Sequence, residues 1–220
     1  MKIIIIILSV LVAVSYSGQN NIQTSTINKM NSHNDVIGIQ DDPIINAIMG
    51  QNEEFLKQNL SAEIVNKQYN VPVGMIRKIY DRGESTSPVL GKGSLLHLAT
   101  FYNLPKSAKI LIEKGADVNA KDSEGRTPLQ AAVIASLYNT IDIQKVLIEN
   151  KADMNFYTNR QVPLLYQYIW NENYDLAELA IENGADVNMK AEDGGSILEF
   201  AEQRGTPKIV SMLKTKGATK

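Results

Sequence analysis

The 220-residue chain contains no cysteine, one tryptophan and only two histidines. Without cysteine there is no disulfide, no thiolate metal ligand, no cysteine nucleophile and no lipoprotein anchor. His33 and His97 lie far apart, which excludes a multi-histidine metal site. An excess of positive charge is also lacking: 22 Lys and Arg against 24 Asp and Glu leave a net charge of −2. Neutralising several phosphates needs a basic surface, so nucleic acid is excluded as the main partner. Long apolar runs are missing too. Ile3 to Val14 spans 12 residues, short of the roughly 20 that cross a bilayer. What remains is an ordinary globular composition, 44% hydrophobic and 21% charged, with room for one domain or two small ones.

The N-terminus reads as an address. Lys2, the apolar run Ile3 to Val14, and then Ser15, Ser17 and Gly18 match a secretory signal peptide over residues 1–17. A buried N-terminal strand or an uncleaved anchor is the alternative. Residues 18–40 are rich in Asn, Gln, Ser and Thr, with no helical period. Such a segment buries too little apolar surface to offset its ordering entropy, and is expected to be a flexible linker with a solvated His33.

The remainder repeats. Glu113-Lys114-Gly115-Ala116-Asp117-Val118-Asn119 recurs as Glu149-Asn150-Lys151-Ala152-Asp153-Met154-Asn155 and as Glu182-Asn183-Gly184-Ala185-Asp186-Val187-Asn188. A truncated Lys216-Gly217-Ala218-Thr219 closes the series. Upstream of each lies an opener: Ser94-Leu95-Leu96-His97-Leu98-Ala99, Thr127-Pro128-Leu129-Gln130-Ala131-Ala132, Pro163-Leu164 and Ser196-Ile197-Leu198-Glu199-Phe200-Ala201. Leu96, Leu129, Leu164 and Leu198 are 33, 35 and 34 residues apart. In this period and these motifs, residues 93–220 resemble the ankyrin-repeat family. The resemblance implies an all-α solenoid of stacked helix pairs with projecting loops, about four units, the last a polar C-terminal cap. It also implies that His97 makes local hydrogen bonds between neighbouring loops.

Local chemistry agrees. Asn103 tolerates the positive φ of an inter-helix turn, Gly115 suits a left-handed helix C-cap, and Pro128 suits a first helical turn. Asp117 to Gly125 is rich in turn formers and should project as a hairpin-like loop. Lys151 stands where the other units have glycine. A left-handed lysine costs on the order of 1 kcal/mol, so a reshaped turn is expected there. Unit two is also three residues longer between its helices, around Ser136 to Thr140. Tyr166 and Tyr168 opposite Ala177 and Ala180 suggest a volume exchange between the helices of unit three. Residues 41–92 are read as a divergent helical cap of degenerate ankyrin units, with Pro43 to Ile48 and Phe55-Leu56 as one pair. Ile76 to Gly83 is read as the end of a further helix, in phase with Gly115; a separate small helical domain is the alternative.

Nothing in the sequence gathers into catalytic chemistry. Gly91-Lys92-Gly93-Ser94 lacks the spacing of a phosphate loop. The recurring Asp117, Asp153 and Asp186 point to loop architecture, not to an acid/base pair. No nucleophile or carboxylate accompanies His97 in a recognisable motif. The expectation is a non-catalytic, monomeric, cofactor-free binding module, secreted or periplasmic, without stable membrane insertion once the signal is cleaved, whose protein partner the sequence does not name. A membrane-tethered scaffold or an accessory subunit of an exported enzyme are the alternatives. The resemblance places binding on a concave face of first helices and loop tips. Phe101, Tyr102, Ile134, Ile169 and Trp170 fall before the inter-helix turns, and Phe156 and Tyr157 at a loop tip. Ala135, Gln203 and Arg204 occupy equivalent positions. Clustered exposed aromatics are typical of interaction sites.

Overall fold

The computed structural model describes residues 42–80, 83–134, 140–204 and 206–220, with backbone only for 72–80 and 83–90. The expected signal peptide, the linker with His33, Ala135 and most of the Ser136 to Thr140 insertion lie outside the described residues. Among the described residues the fold is mostly helical. Three helices come first: α1 (Pro43–Met49), α2 (Glu53–Asn59) and α3 (Ala62–Asn66). Strands β1 (Tyr69–Tyr80) and β2 (Gly83–Gly93) follow. Four helix pairs complete the chain: α4 (Leu95–Phe101) with α5 (Pro105–Glu113), α6 (Pro128–Ile134) with α7 (Ile141–Glu149), α8 (Leu164–Trp170) with α9 (Tyr174–Glu182), and α10 (Ile197–Gln203) with α11 (Pro207–Thr215).

The pairs stack. Second helices pack in the order α2, α5, α7, α9, α11, while α4 packs on α6 and α8 on α10. One continuous core results, with Leu96, Leu111, Leu129, Leu147, Leu164 and Ile169 wholly buried. A single unit cannot bury its own apolar face, so each relies on its neighbours. Tyr168, Ala177 and Ala180 are all buried in this core, in keeping with the expected volume exchange.

The openers start helices because they form caps. Thr127 Oγ1 accepts from the Gln130 N–H at 3.2 Å while Gln130 Oε1 accepts from the Thr127 N–H at 2.9 Å. Ser94 with His97 makes the same reciprocal box, and Ser196 Oγ accepts from the Glu199 N–H at 3.0 Å. Each satisfies backbone donors that a helix start leaves unpaired. Helices α5, α7, α9 and α11 all end alike. Gly115, Lys151, Gly184 and Gly217 have φ of 89°, 67°, 95° and 81°. The next N–H returns five residues: Ala116 to Leu111, Ala152 to Leu147, Ala185 to Ala180, Ala218 to Leu213. The reshaped turn expected at Lys151 is therefore corrected. The lysine adopts the glycine conformation, and the turn keeps its hydrogen bonds.

The N-terminal segment is helical only in its first half. The α1–α2 turn repeats the α4–α5 and α8–α9 turns. Gln51, Asn103 and Glu172 have φ of 50°, 50° and 59°. Asn52, Leu104 and Asn173 each donate back to a first helix, at Ala47, Ala99 and Tyr168. Pair α1–α2 is thus built like the later units. The expectation of a helix ending at Gly83 is corrected: Ile76 to Tyr80 lie in β1 and Gly83 opens β2, antiparallel to it, with Tyr80 opposite Gly83 and Tyr69 opposite Gly93. The all-α expectation is corrected to the same extent. This hairpin occupies the place of the short loop between other units. Its base is held by the Ser123 N–H donating to the Lys92 carbonyl at 2.7 Å, and β1 and β2 both pack on α4.

Candidate functional site

Helices α4, α6 and α8 contain no charged residue, whereas α5, α7, α9 and α11 each carry several. These three first helices therefore form a face of uncharged side chains between charged second helices and polar loops, and α10, with Glu199 and Glu202, ends it. Most of those side chains point into the core. Ile134 and Trp170, at the ends of α6 and α8, do not: they are 38% and 45% exposed. Tyr157, on the loop after α7, is 53% exposed. With Met49 these are the large hydrophobics exposed among the described residues. Phe101, Tyr102 and Phe156 are half-buried, and Phe101 meets Tyr102 edge to face at 5.1 Å. Ile169 is corrected as a site residue. It is fully buried, because one step along a helix turns the side chain about 100°, from solvent at Trp170 into the core.

The expected residues fall into two places. Ile134, Phe156 and Tyr157 line one open cleft of about 280 Å³, shared with Gln130, Val133 and Thr158. Gln130, one of the lining residues, commits its Oε1 to the helix cap. Trp170 belongs to a second group. Its indole stacks on Phe200 at 5.5 Å, Phe200 stacks on Tyr166 at 4.2 Å, and the Arg204 guanidinium lies 5.7 Å from the Trp170 ring and 5.2 Å from the Phe200 ring. Tyr166, Phe200 and the pairing of Arg204 with Trp170 were not among the expected site residues. The repeat itself carried the signal: Phe200 follows Tyr166, and Arg204 follows Trp170, by 34 residues each. Side chains one period apart occupy equivalent places on adjoining units.

The remaining candidates are structural. His97 Nδ1 accepts from the Ser94 N–H at 3.2 Å, so its other nitrogen carries the proton and donates to the Arg126 carbonyl at 3.0 Å. This is the loop-bridging role that the resemblance implied. Burial holds the imidazole below the usual histidine range, opposed by the Arg126 carbonyl and Asp122. With both nitrogens engaged, His97 is not free to act as a base. Gly91, Lys92 and Gly93 end β2. A Cβ on Gly93 would come within 2.7 Å of the Val71 side chain and 3.3 Å of His97, so packing explains that glycine.

The recurring Asp and Asn residues build a ladder along the loops. Asp117, Asp153 and Asp186 each accept from the N–H of the asparagine two residues on. Those asparagines reach to the next unit: Asn119 Oδ1 accepts from the Asp153 N–H, Asn155 Oδ1 from the Asp186 N–H, and Asn188 Oδ1 from the Thr219 N–H, at 2.8–2.9 Å. Among the described residues no cluster of His, Asp and Glu gathers to hold a metal, and no helix is long and apolar enough to cross a membrane.

Comparison with known proteins agrees with this geometry. Residues 73–158 match the family model described as ankyrin repeats (3 copies). The chain is 31% identical over 143 residues to a putative palmitoyltransferase ZDHHC13 of Danio rerio, covering 64% of this chain and 22% of that protein. It is 35% identical over 125 residues to the neurogenic locus notch homolog protein 2 of Homo sapiens, and 34% to notch homolog protein 1 of Xenopus laevis. Each notch alignment covers 57% of this chain and 5% of the relative. The chain thus spans a small part of the curated relatives it matches. Over residues 73–158 the chain is thus similar to ankyrin repeats, and such repeats generally mediate protein–protein interaction.

Proposed function

We propose that the chain is a non-catalytic protein-binding module exported from the cytoplasm, which engages its partner as a monomer through the first helices and loop tips. Ile134, Tyr157 and Trp170 form the exposed centre of this face, with Phe101, Tyr102 and Phe156 at its half-buried margin. The observation that carries the reading is the distribution of exposed apolar residues. Among the described residues, all four exposed large hydrophobics, Met49 at the end of α1 included, sit at first-helix ends or on a loop tip. Aromatic side chains in such positions supply most of the binding energy in protein interfaces. Export rests on Lys2, the run Ile3 to Val14 and Ser15-x-Ser17, with residues 1–17 removed and 18–40 serving as a tether.

Two measurements test this. The N-terminus of the chain recovered from outside the cytoplasm should begin near Gly18; an intact Met1 on recovered protein, or its retention in the cytoplasm, contradicts export. Wild-type chain should retain a protein from the periplasm or medium that the Ile134→Ser/Tyr157→Ser/Trp170→Ser variant, equally folded, does not. Equal retention by both would remove the face from the proposal, and retention of nothing would remove the module itself from that compartment.

A further inference from the structure

We infer that Trp170 and Arg204 form one docking point for a partner segment that sets a carboxylate beside an aromatic or aliphatic side chain. This deepens the binding-module reading above and rests on it. Arg204 caps α10, is exposed, and makes no ion pair among the described residues. Its guanidinium carbon lies over both rings of the Trp170–Phe200 stack. Stacking fixes a guanidinium while leaving its N–H fork free, and that fork matches a carboxylate in two-pronged fashion. A side chain already held in place loses little freedom on binding.

The surrounding charges favour an acidic partner over the alternatives. Carboxylates of the same unit have partners of their own: Glu202 accepts from Lys214 and Lys220 at 2.8 and 2.9 Å, Glu199 from the Ser196 hydroxyl at 3.1 Å, and Asp193 from the Gly195 N–H at 2.9 Å. Helices α4, α6 and α8 supply no charge of either sign. Arg204 is therefore a cation that makes no ion pair among the described residues, beside a face that α4, α6 and α8 leave uncharged. A partner residue that covers Trp170 also covers Arg204, and a desolvated guanidinium needs an anion. One lone arginine beside a chain of net charge −2 does not suit a polyanion.

Trp170 is the chain's one tryptophan, so its emission reports on this point alone. The experiment selects peptides from a displayed random dodecamer library on the full chain. Each selected peptide is then synthesised twice, with its Asp and Glu intact or changed to Asn and Gln, and titrated against Trp170 emission. The expected peptides place Asp or Glu next to an aromatic or aliphatic residue and shift the emission. Their amide forms should bind about tenfold more weakly. Arg204→Gln should lose the same tenfold for the acidic form and no longer distinguish the two forms, while Arg204→Lys restores binding only in part. Arg204 is exposed, and an unchanged melting curve shows that Arg204→Gln remains folded. Equal binding of acidic and amide forms, or of wild type and Arg204→Gln, overturns the inference. If that binding is instead lost in Ile134→Ser/Tyr157→Ser, the binding-module reading survives without it. A library that yields no binder ends both, and an emission shift with a single-stranded oligothymidylate in place of peptide overturns the acidic-segment assignment.

Discussion

The Asn66 side chain bridges to Asp117 across 51 residues of sequence: its Oδ1 accepts from the Asp117 N–H at 2.8 Å while its Nδ2 donates to the Gly115 carbonyl at 2.8 Å. Asn119 makes the same pair of contacts, to Asp153 and Lys151, and Asn188 to Thr219 and Gly217. Asn66 thus fills the first rung of the loop ladder from the end of α3. The spacing to the next rung, Asn119, is 53 residues, against 36 and 33 for the following two. The hairpin of β1 and β2 accounts for the added length. Asn66→Ala should lower stability in urea unfolding by about 1–2 kcal/mol, the worth of two net hydrogen bonds. An unchanged midpoint would show that α3 is not coupled to the stack.

Lys151 is the one non-glycine among the four left-handed helix ends. Lys151→Gly should raise stability by about 0.5 kcal/mol, because relief of left-handed strain exceeds the added freedom of the unfolded chain. Gly184→Ala should lower it by about 1 kcal/mol for the converse reason. Paired urea curves measure both. A destabilised Lys151→Gly would mean that the Lys151 contact to Asn183 at 3.2 Å outweighs the backbone term.

Unit two and unit three share a buried relay. The Tyr168 hydroxyl donates to Gln144 Oε1 at 2.7 Å, Gln144 Nε2 donates to Thr140 Oγ1 at 2.8 Å, and Thr140 Oγ1 donates to the Ala132 carbonyl at 3.2 Å. Burial pushes the Tyr168 phenol well above its ordinary range, so it stays a donor. Tyr168→Phe leaves Gln144 Oε1 buried without its donor and should cost about 1–3 kcal/mol. A neutral substitution would show that water replaces the hydroxyl.

The histidine gives a pH signature. Burial lowers the folded-state pKa of His97. As pH falls below about 6.5, the unfolded chain takes up the proton first, so stability is full above that pH and declines through it. Protonation of Nδ1 also removes the acceptor for the Ser94 N–H. Urea midpoints should fall between pH 8 and pH 5 in wild type and stay flatter in His97→Gln. The half-buried Glu202, held down to about 2 by hydrogen bonds from Lys214 and Lys220, loses its contribution at lower pH, as the medium falls from about 4.5 toward 2, and does not confuse the two.

The stack was legible because its signal is redundant: leucine openers, Gly-Ala-Asp loops and Asn rungs recur at one period, so a departure such as Lys151 does not break the pattern. The hairpin was not legible. Ile76-Arg77-Lys78-Ile79 fits a helix end as well as a strand, and strand pairing with 83–93 is non-local information that a local period does not carry. The site was legible in position and not in orientation. Ile169 and Trp170 are equally apolar neighbours, and only the rotation of α8 separates core from surface. Arg204 was legible as the position equivalent to Trp170, but its place over the Trp170 and Phe200 rings was not, because a period gives equivalent positions and not contacts between side chains.

The most direct measurement is a side-by-side comparison of Ile169→Ala and Trp170→Ala, scored by urea unfolding and by retention of the captured partner. Ile169→Ala should lose about 2–5 kcal/mol of stability, as a buried aliphatic truncation does. Trp170→Ala should unfold close to wild type and lose the partner. A Trp170→Ala chain that unfolds as readily as Ile169→Ala, or that retains the partner fully, would contradict a binding face on the first helices.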